Sequence, residues 1–465
     1  MVFSGLTFQR VVLRAVLALL AGSCLRAQPA ELAGTMPEDY LPDLKRILAT
    51  AMNRSPLVIA PLFEMELRDI YRIRDRAARL PSLRGDLNYG STEVSESGNS
   101  SSRSRDQGFF YNLGMGQALY HWGALKNQTA ISRINQLIAA KSFEKAYREL
   151  AVLLRQSYLT LIVQQAKLRQ GREALRIQGE SLAVMRERLA LGGVSSAEVA
   201  GAELAKREAD LEIAKLDADL ISARRTFARL AGIGELSEDA LPTDIPRPAF
   251  SAALATVLTA TLLRDHAGST LEAEIYDLKI QEAMKRYDIA KVGLLPKFNL
   301  GAGYSLENNT TVNGNAVGQR AVARQTVNVS ANWNIFDGFA TRAAKLEAKL
   351  AQRSMAARRE AELQELLETV QSLERQLKLD AEQLELVEIR RGMAVETRRR
   401  AEEEATFGTL PKGDIERARV GILLADAKAL EARAALLVRW SQFVALATDD
   451  PVLNSLSVRH AREKK

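Results

Sequence analysis

Tyr111-Asn-Leu-Gly-Met-Gly-Gln-Ala-Leu-Tyr120 and Val327-Asn-Val-Ser-Ala-Asn-Trp-Asn-Ile-Phe336 hold equivalent places in a chain that carries one message twice. Each closes a strand-like run and leads into a long helical pattern, and they start 216 residues apart (327 − 111). A duplicated strand-to-helix unit constrains the architecture more than any single residue, since each copy is one supersecondary block.

Around these stretches four segments alternate with period two, as strands with two unlike faces do. In the second copy Phe298, Leu300, Ala302, Tyr304 and Leu306 oppose Asn299, Gly301, Gly303 and Ser305, and Val327, Val329, Ala331, Trp333 and Ile335 oppose Asn328, Ser330, Asn332 and Asn334. The first copy repeats this with Leu83, Leu87 and Tyr89 against Arg84, Asp86 and Asn88, then Phe109, Tyr111, Leu113 and Met115 against Asn112, Gly114 and Gly116. Expected strands are 82–91, 108–120, 296–306 and 326–337, with polar loops at 91–107 and 308–325. Leu80-Pro81 and Leu295-Pro296 open each pair, where proline stops a helix and tolerates a strand start. Two readings fit: a transmembrane β-barrel with a wet lumen, or soluble hairpins with one face on a core.

After each second strand comes a proline-free run, about 124–191 and 340–407. As a helix each spans roughly 100 Å at 1.5 Å per residue. Tyr147, Leu154, Leu161, Leu168, Leu175, Leu182 and Leu189 recur every seventh position. Their counterparts Leu363, Val370, Leu377 and Leu384 keep register until Arg391 and Arg398. Such a repeat predicts a left-handed supercoil against neighbouring helices. Glycine marks the end of each helix, in Gly192-Gly-Val-Ser195 and Gly408-Thr-Leu-Pro411. Returning helices then run over about 197–231 and 414–446, making two hairpins with tips at 191–197 and 407–414. Shorter helices are expected before the strand pairs, over 61–79 and 270–292. The resulting organisation is a segment 1–27, a first repeat 38–232, a linker 233–250 with four acidic residues and three prolines, a second repeat 251–447, and a polar tail 448–465.

Residues 1–27 read as a secretory signal peptide: Arg10 precedes the run Val11–Ala21, apolar apart from Arg14, and Leu25-Arg26-Ala27 offers a cleavage site. The single cysteine, Cys24, lies in Leu20-Ala-Gly-Ser-Cys24, which resembles a lipoprotein box with alanine where leucine is usual. Lipidation of Cys24 and its removal with the signal are the alternatives. No intrachain disulfide can form. With 47% hydrophobic residues the 465-residue chain has the composition of a folded protein. The net charge of +7 comes from 64 basic and 57 acidic residues interspersed along helices, which is not a nucleic-acid-binding stripe. The three histidines are far apart, and no nucleophile elbow or phosphate loop occurs. The reading is therefore not an enzyme, with no metal, no cofactor and no nucleic acid.

The strand starts, Leu119-Tyr120 with Gly123, Ile335-Phe336-Asp337-Gly338 and the two glycine tips together resemble the outer-membrane efflux protein family, the TolC-like channels of Gram-negative bacteria. The resemblance implies a mainly α fold with a small β part. It further implies a homotrimer whose twelve strands form a transmembrane barrel in outer-membrane lipid, continuous with a periplasmic α-helical barrel. In such systems the tips contact a periplasmic adaptor joined to an inner-membrane transporter. Carried over to this chain, the adaptor-contact tips are Gly192, Gly193, Val194, Ser195, Gly408, Thr409, Leu410 and Pro411. Periplasmic gate residues correspond to Asp414, Arg417 and Glu198, with Arg417 where an acid is usual, and with Ala405 and Leu410 at the latch positions. Asp414 also fits plain capping of a helix N-terminus. Arg398–Arg400 before Glu402–Glu404 fit either a lumen patch or an exposed face of i,i+4 ion pairs. Two rival functions remain: a periplasmic coiled-coil adaptor and a non-conducting outer-membrane scaffold lipoprotein.

Overall fold

The computed structural model describes residues 35–96, 102–234, 236–237, 240–313, 316–406, 412–448 and 450–453. The signal segment, Cys24 and the tip residues Gly408, Thr409, Leu410 and Pro411 lie outside them. In chain order the elements are α1 (Pro37–Tyr40), α2 (Pro42–Arg54), α3 (Pro56–Ala77), β1 (Ser82–Glu96), β2 (Ser102–Tyr120), α4 (Ala124–Ala190) and α5 (Ser196–Ala231). Then follow α6 (Ala252–Arg264), α7 (Leu271–Lys291), β3 (Lys297–Asn313), β4 (Ala316–Asn332), α8 (Ala340–Thr406) and α9 (Lys412–Ala447). A 3₁₀ turn closes the described chain at Pro451–Leu453. The fold is mainly helical with one small antiparallel sheet.

The duplication is kept residue for residue in the helices. Helices α8 and α9 begin and end 216 positions after α4 and α5 respectively. The compact units cut across it, each taking stretches from both copies. One comprises Met1–Ala60, Phe143–Thr270 and Leu363–Lys465, and the other Pro61–Ser142 and Leu271–Glu362.

The first unit is helical. Its core is the heptad ladder: Tyr147, Leu154, Leu161 and Leu168 from α4, and Leu363, Val370, Leu377 and Leu384 from α8, are all buried. A strict seven-residue repeat keeps one face on the neighbours, which is why these positions pack. Phe227 of α5 meets Tyr158 at 5.7 Å, and Trp440 stacks on Phe443 at 5.6 Å in α9. Ion pairs order the four long helices side by side. Arg172–Asp217 and Arg186–Glu203 link α4 to α5, Lys167–Glu431 and Arg176–Glu416 link α4 to α9, and Arg391–Asp426 and Arg433–Glu388 link α8 to α9. The order is α5-α4-α9-α8, with α5 and α8 at the edges. Helix α5 stops at Gly232, whose φ is +63°. A Cβ there would stand 2.5 Å from the Arg54 carbonyl oxygen, so only glycine fits.

The second unit holds the sheet, ordered β1-β2-β3-β4, every neighbour antiparallel. Its strands outrun expectation: β1 continues to Glu96, β2 starts at Ser102, β3 reaches Asn313 and β4 starts at Ala316. Most of the expected polar loops are thus paired strand. Polarity there reflects water on both faces, not the end of the ladder. At the other end β4 stops at Asn332, short of the expected 337, because Trp333 and Asp337 are engaged in the junction with α8.

Four helices differ from the sequence reading. Helix α3 begins at Pro56, with Pro61 inside it. Helices α1 and α2, each with proline in the first turn, and α6 were not anticipated. Within the segment 448–465 that was expected as a polar tail, Asp450 is fully buried. It bonds the Arg155 Nη1 and Nη2 at 2.5 and 3.0 Å. Glu38 holds the same guanidinium at 2.8 and 2.5 Å, and Ser441 accepts from it at 3.1 Å. Burial pushes the Arg155 pKa down, but the two carboxylates outweigh it and raise it above the ordinary arginine value.

Candidate functional site

The register divides the sheet into two unlike faces, because residues paired across strands point the same way. One rung reads Leu87, Tyr111, Leu306 and Ala323, and the next reads Asp86, Asn112, Ser305 and Arg324. Extending the first face gives Leu83, Tyr89, Phe109, Leu113, Met115, Phe298, Leu300, Ala302, Tyr304, Val327, Val329 and Ala331, with no charged residue among them. These side chains are not core: Val327 is 79% exposed and Leu83 70%. An exposed apolar sheet face of this extent requires a partner or a lipid phase. Beyond Tyr89, Phe109 and Asn308 the same side turns polar, with Ser91, Gln107, Thr310 and Gln319. The apolar zone runs from Leu83 to Tyr89 on β1, Phe109 to Tyr120 on β2, Phe298 to Leu306 on β3 and Ala323 to Ala331 on β4, close to the roughly nine to eleven residues with which a tilted strand crosses a bilayer core.

Aromatic side chains bound that zone. Tyr89 and Phe109 lie 4.7 Å apart at its outer limit. At the helix-bearing end are Tyr120 and Trp122, 5.0 Å apart, and Phe336 and Phe339, 5.4 Å apart edge to face. A shift in register at 118/120 brings Tyr120 opposite Phe298, on the apolar side. The Trp122 indole donates to the Pro296 carbonyl at 2.7 Å and the Trp333 indole to the Leu294 carbonyl at 3.0 Å. Two girdles of this kind are what an interfacial belt needs, each ring having one dry and one wet side.

The strand-to-helix junctions are pseudo-equivalent. Trp122 and Gly123 are left-handed in one (φ +53° and +81°), Gly338 and Phe339 in the other (+62° and +69°), so glycine and aromatic exchange order. Asp337 caps α8: its Oδ2 accepts from the Thr341 N–H at 2.8 Å and the Thr341 hydroxyl at 2.5 Å. Those bonds hold its carboxyl below the usual range. The Ile335-Phe-Asp-Gly338 motif is therefore a helix start with an aromatic anchor.

In the helical unit the first tip is a Schellman turn. Gly192 takes φ +75° and donates to the Leu189 carbonyl at 3.0 Å, and Gly193 donates to the Arg188 carbonyl at 2.8 Å. Val194 is half-buried. Ser195 then caps α5: its hydroxyl accepts from the Glu198 N–H at 3.2 Å while its own N–H donates to Glu198 Oε2 at 2.7 Å. Glu198, expected at the gate, thus forms a capping box. Asp414 lies in the first turn of α9 and pairs with Arg417, which also donates to the Gly413 carbonyl at 3.3 Å. Among the described residues the structure makes no bond between Glu198 and either of these two.

The model of the outer membrane efflux protein family matches residues 50–233 and 276–447. The chain belongs to that family. Its fold is that of the TolC-like channels. It superposes on the CmeC outer membrane channel of Campylobacter jejuni with a TM-score of 0.67 at 13% identity, covering 91% of each chain. For the open-state MtrE outer membrane channel of Neisseria gonorrhoeae the values are 0.64 and 16%, over 88% of this chain and 89% of that one. For the outer membrane protein VceC of Vibrio cholerae they are 0.64 and 13%, over 90% of this chain and 100% of that one. No curated protein sequence matches significantly. At these identities the structural likeness is one of fold, and the family match carries the identity. An efflux protein of this family resides in the outer membrane and extends into the periplasm. The family is one of channels and not of enzymes. Among the described residues no helix is long and apolar enough to cross a membrane, and no cluster of His, Cys, Asp and Glu is placed to hold a metal ion.

The efflux protein's distal helices carry groups that sequence reasoning passed over. Arg176 of α4 binds Glu173, Glu180 and Glu416 at 2.6, 2.5 and 3.1 Å, and its bonds to Glu173 raise its pKa further. Glu396 accepts from Arg399 at 2.8 Å and Arg400 at 3.0 Å, which pulls its carboxyl down to about 2. Arg398 pairs with Glu402 at 3.4 Å, and Arg399 reaches Glu403 as well. The arginine run is thus largely i,i+4 pairing, with Arg399 and Arg400 both also turned back to Glu396. The heptad ladder itself held the signal, because a basic residue standing where leucine is expected must find an acid.

Proposed function

We propose that this chain is the outer-membrane exit duct of a tripartite efflux or type I secretion assembly. In this reading it passively conducts substrates delivered by an inner-membrane pump through a periplasmic adaptor. The observation that carries the reading is the four-stranded sheet, with a charge-free apolar zone on one face, a polar face behind it, and, among the described residues, unpaired edges on β1 and β4. Open edges cannot rest in lipid, because each unpaired backbone group there costs several kcal/mol. The edges therefore close on other copies, the apolar face meets lipid and the polar face lines a wet lumen.

The helical unit supports the same closure. Its edge helices carry apolar stripes that nothing among the described residues covers: Leu204, Leu211 and Ile221 on α5, and Leu379, Leu386, Ile389 and Met393 on α8. Two unlike edges on one chain make a head-to-tail contact, which yields a ring when the rotation closes. A homotrimer, the number that the family suggests, gives twelve strands. The tips at Gly192–Ser195 and Gly408–Pro411 would meet the adaptor, with Asp414 and Arg417 at the periplasmic entrance. Cargo specificity then belongs to the pump.

The test is extraction in mild detergent followed by planar-bilayer recording. A trimer that conducts supports the duct. A monomer without current would favour the adaptor or scaffold alternatives.

A further inference from the structure

Strand β2 breaks the alternation of the sheet at one residue. Its register sets Phe110 opposite Asn88 on β1 and Glu307 on β3, on the rung that ends at Val322. That rung belongs to the polar face, since side chains paired across strands share a side and successive rungs alternate. The chain neighbours Phe109 and Tyr111 point the other way, where Phe109 meets Tyr89 at 4.7 Å and Tyr111 at 6.4 Å. Phe110 is 41% exposed and, among the described residues, makes no ring contact.

The surroundings leave its ring standing clear. Along β2 the polar face reads Gly108, Phe110, Asn112, Gly114 and Gly116. A Cβ at Gly108 would strike the Asn308 carbonyl of β3, so the place outward of the ring stays bare. Gly90, opposite Gly108 on β1, is bare as well. A phenyl ring that faces water gains nothing from burial, and no packing partner among the described residues accounts for it.

In the duct reading, on which this inference rests, the polar face lines the lumen. Twelve strands about 4.8 Å apart and tilted by about 40° enclose a backbone diameter of about 24 Å, and a phenylalanine side chain spans about half of that radius. One ring from each of three copies therefore narrows the lumen without closing it. Its level is that of the outer aromatic girdle, to which the adjacent Phe109 belongs. We infer that Phe110 is a specificity-determining residue of the exit barrel, an apolar station on which cargo with an aromatic or apolar face stacks, while small inorganic ions pass it untouched.

The test is planar-bilayer recording of the purified full chain. Benzyltrimethylammonium serves as an aromatic probe, and tetramethylammonium as the same head group without a ring. Stacking of one ring on another lengthens residence by about two- to tenfold. Benzyltrimethylammonium is therefore expected to interrupt the parent's current with dwell times longer by that factor than in Phe110→Ala. Phe110→Tyr should keep the parent's dwell times, and so should Asn112→Ala, one rung inward on the same face. Tetramethylammonium should not distinguish the parent from Phe110→Ala. Equal dwell times in parent and Phe110→Ala, a parent without interruptions, or an equal difference with tetramethylammonium each overturns the station while the conducting parent leaves the duct reading standing. A parent that carries no current overturns the duct reading, and the station with it.

Discussion

Asp450→Ala should loosen both ends of the chain at once. Arg155 is fully buried and is held by Glu38 from α1, Ser441 from α9 and Asp450 from the segment after α9. Removing Asp450 deletes the bonds at 2.5 and 3.0 Å and leaves a buried guanidinium with one carboxylate in place of two. Breaking a buried ion pair by deleting one partner costs about 3–5 kcal/mol. Because Glu38 still makes two bonds, about 3 kcal/mol is the expected loss. The effect is local, since the partners of Arg155 come from α1, the end of α9 and the segment after it, where Met36, Leu44 and Phe443 are also buried. At 1.4 kcal/mol per decade, 3 kcal/mol is roughly a hundredfold rise in local opening. Hydrogen exchange of the detergent-solubilised full chain should show amides of residues 36–54 and 441–448 exchanging about a hundred times faster, with those of residues 183–190 unchanged. Arg155→Met should be worse, since it strands two carboxylates together. Exchange in Asp450→Ala within a factor of three of the parent would refute the claim that this cluster fastens the termini.

Other outcomes follow from the same contacts. Val327→Arg, on the apolar sheet face, should cost about 2–4 kcal/mol at a bilayer midplane and reduce the heat-resistant oligomer on gels, whereas Asn328→Arg on the opposite face should assemble normally. Leu182→Arg gives the first hairpin the residue that the second carries at Arg398. It should cost about 2–4 kcal/mol of tip stability, seen as faster exchange near residues 183–205. The Glu396 carboxyl is lowered in the folded chain, so its stabilising contribution is complete above the unfolded value of 4.5 and is lost as pH falls toward about 2. Local exchange near Glu396 should accelerate across that window, and Glu396→Gln should abolish the acceleration.

What the sequence disclosed and what it hid have separate physical causes. Period-two alternation located the strand faces because lipid and water impose it, and it fades beyond Tyr89 and before Phe109, where both strands turn polar although β1 and β2 remain paired. Helix limits were legible to within a residue or two at Ala124, Ala190 and Ala340, where glycine or aspartate sets the end chemistry. Gly192 and Ser195 were found as a tip, but the engagement of Glu198 by Ser195 is a matter of three-dimensional reach. The Arg155 cluster was invisible because its partners stand 117 and 295 residues away, and no local pattern announces such a distance. Helices α1 and α2 did leave a trace, proline in the first turn of each, in a region too short for periodicity to register.

Two hairpins built from one template need not be equally strong, and the difference can be placed. Both share the proximal ladder, buried from Leu154 to Leu168 in one and from Val370 to Leu384 in the other. They part beyond it, where Leu175 and Leu182 become Arg391 and Arg398. Burying a leucine contributes about 1.5–3 kcal/mol. The Arg398–Glu402 pair, with both side chains more than 40% exposed, contributes at most about 1 kcal/mol. At this position the second hairpin is therefore less stable than the first by about 0.5–2 kcal/mol in each chain. Among the described residues the weaker seam thus lies beyond Leu384 in the second hairpin, where Arg391 and Arg398 stand in place of leucine and each must find an acid, Asp426 for one and Glu402 for the other.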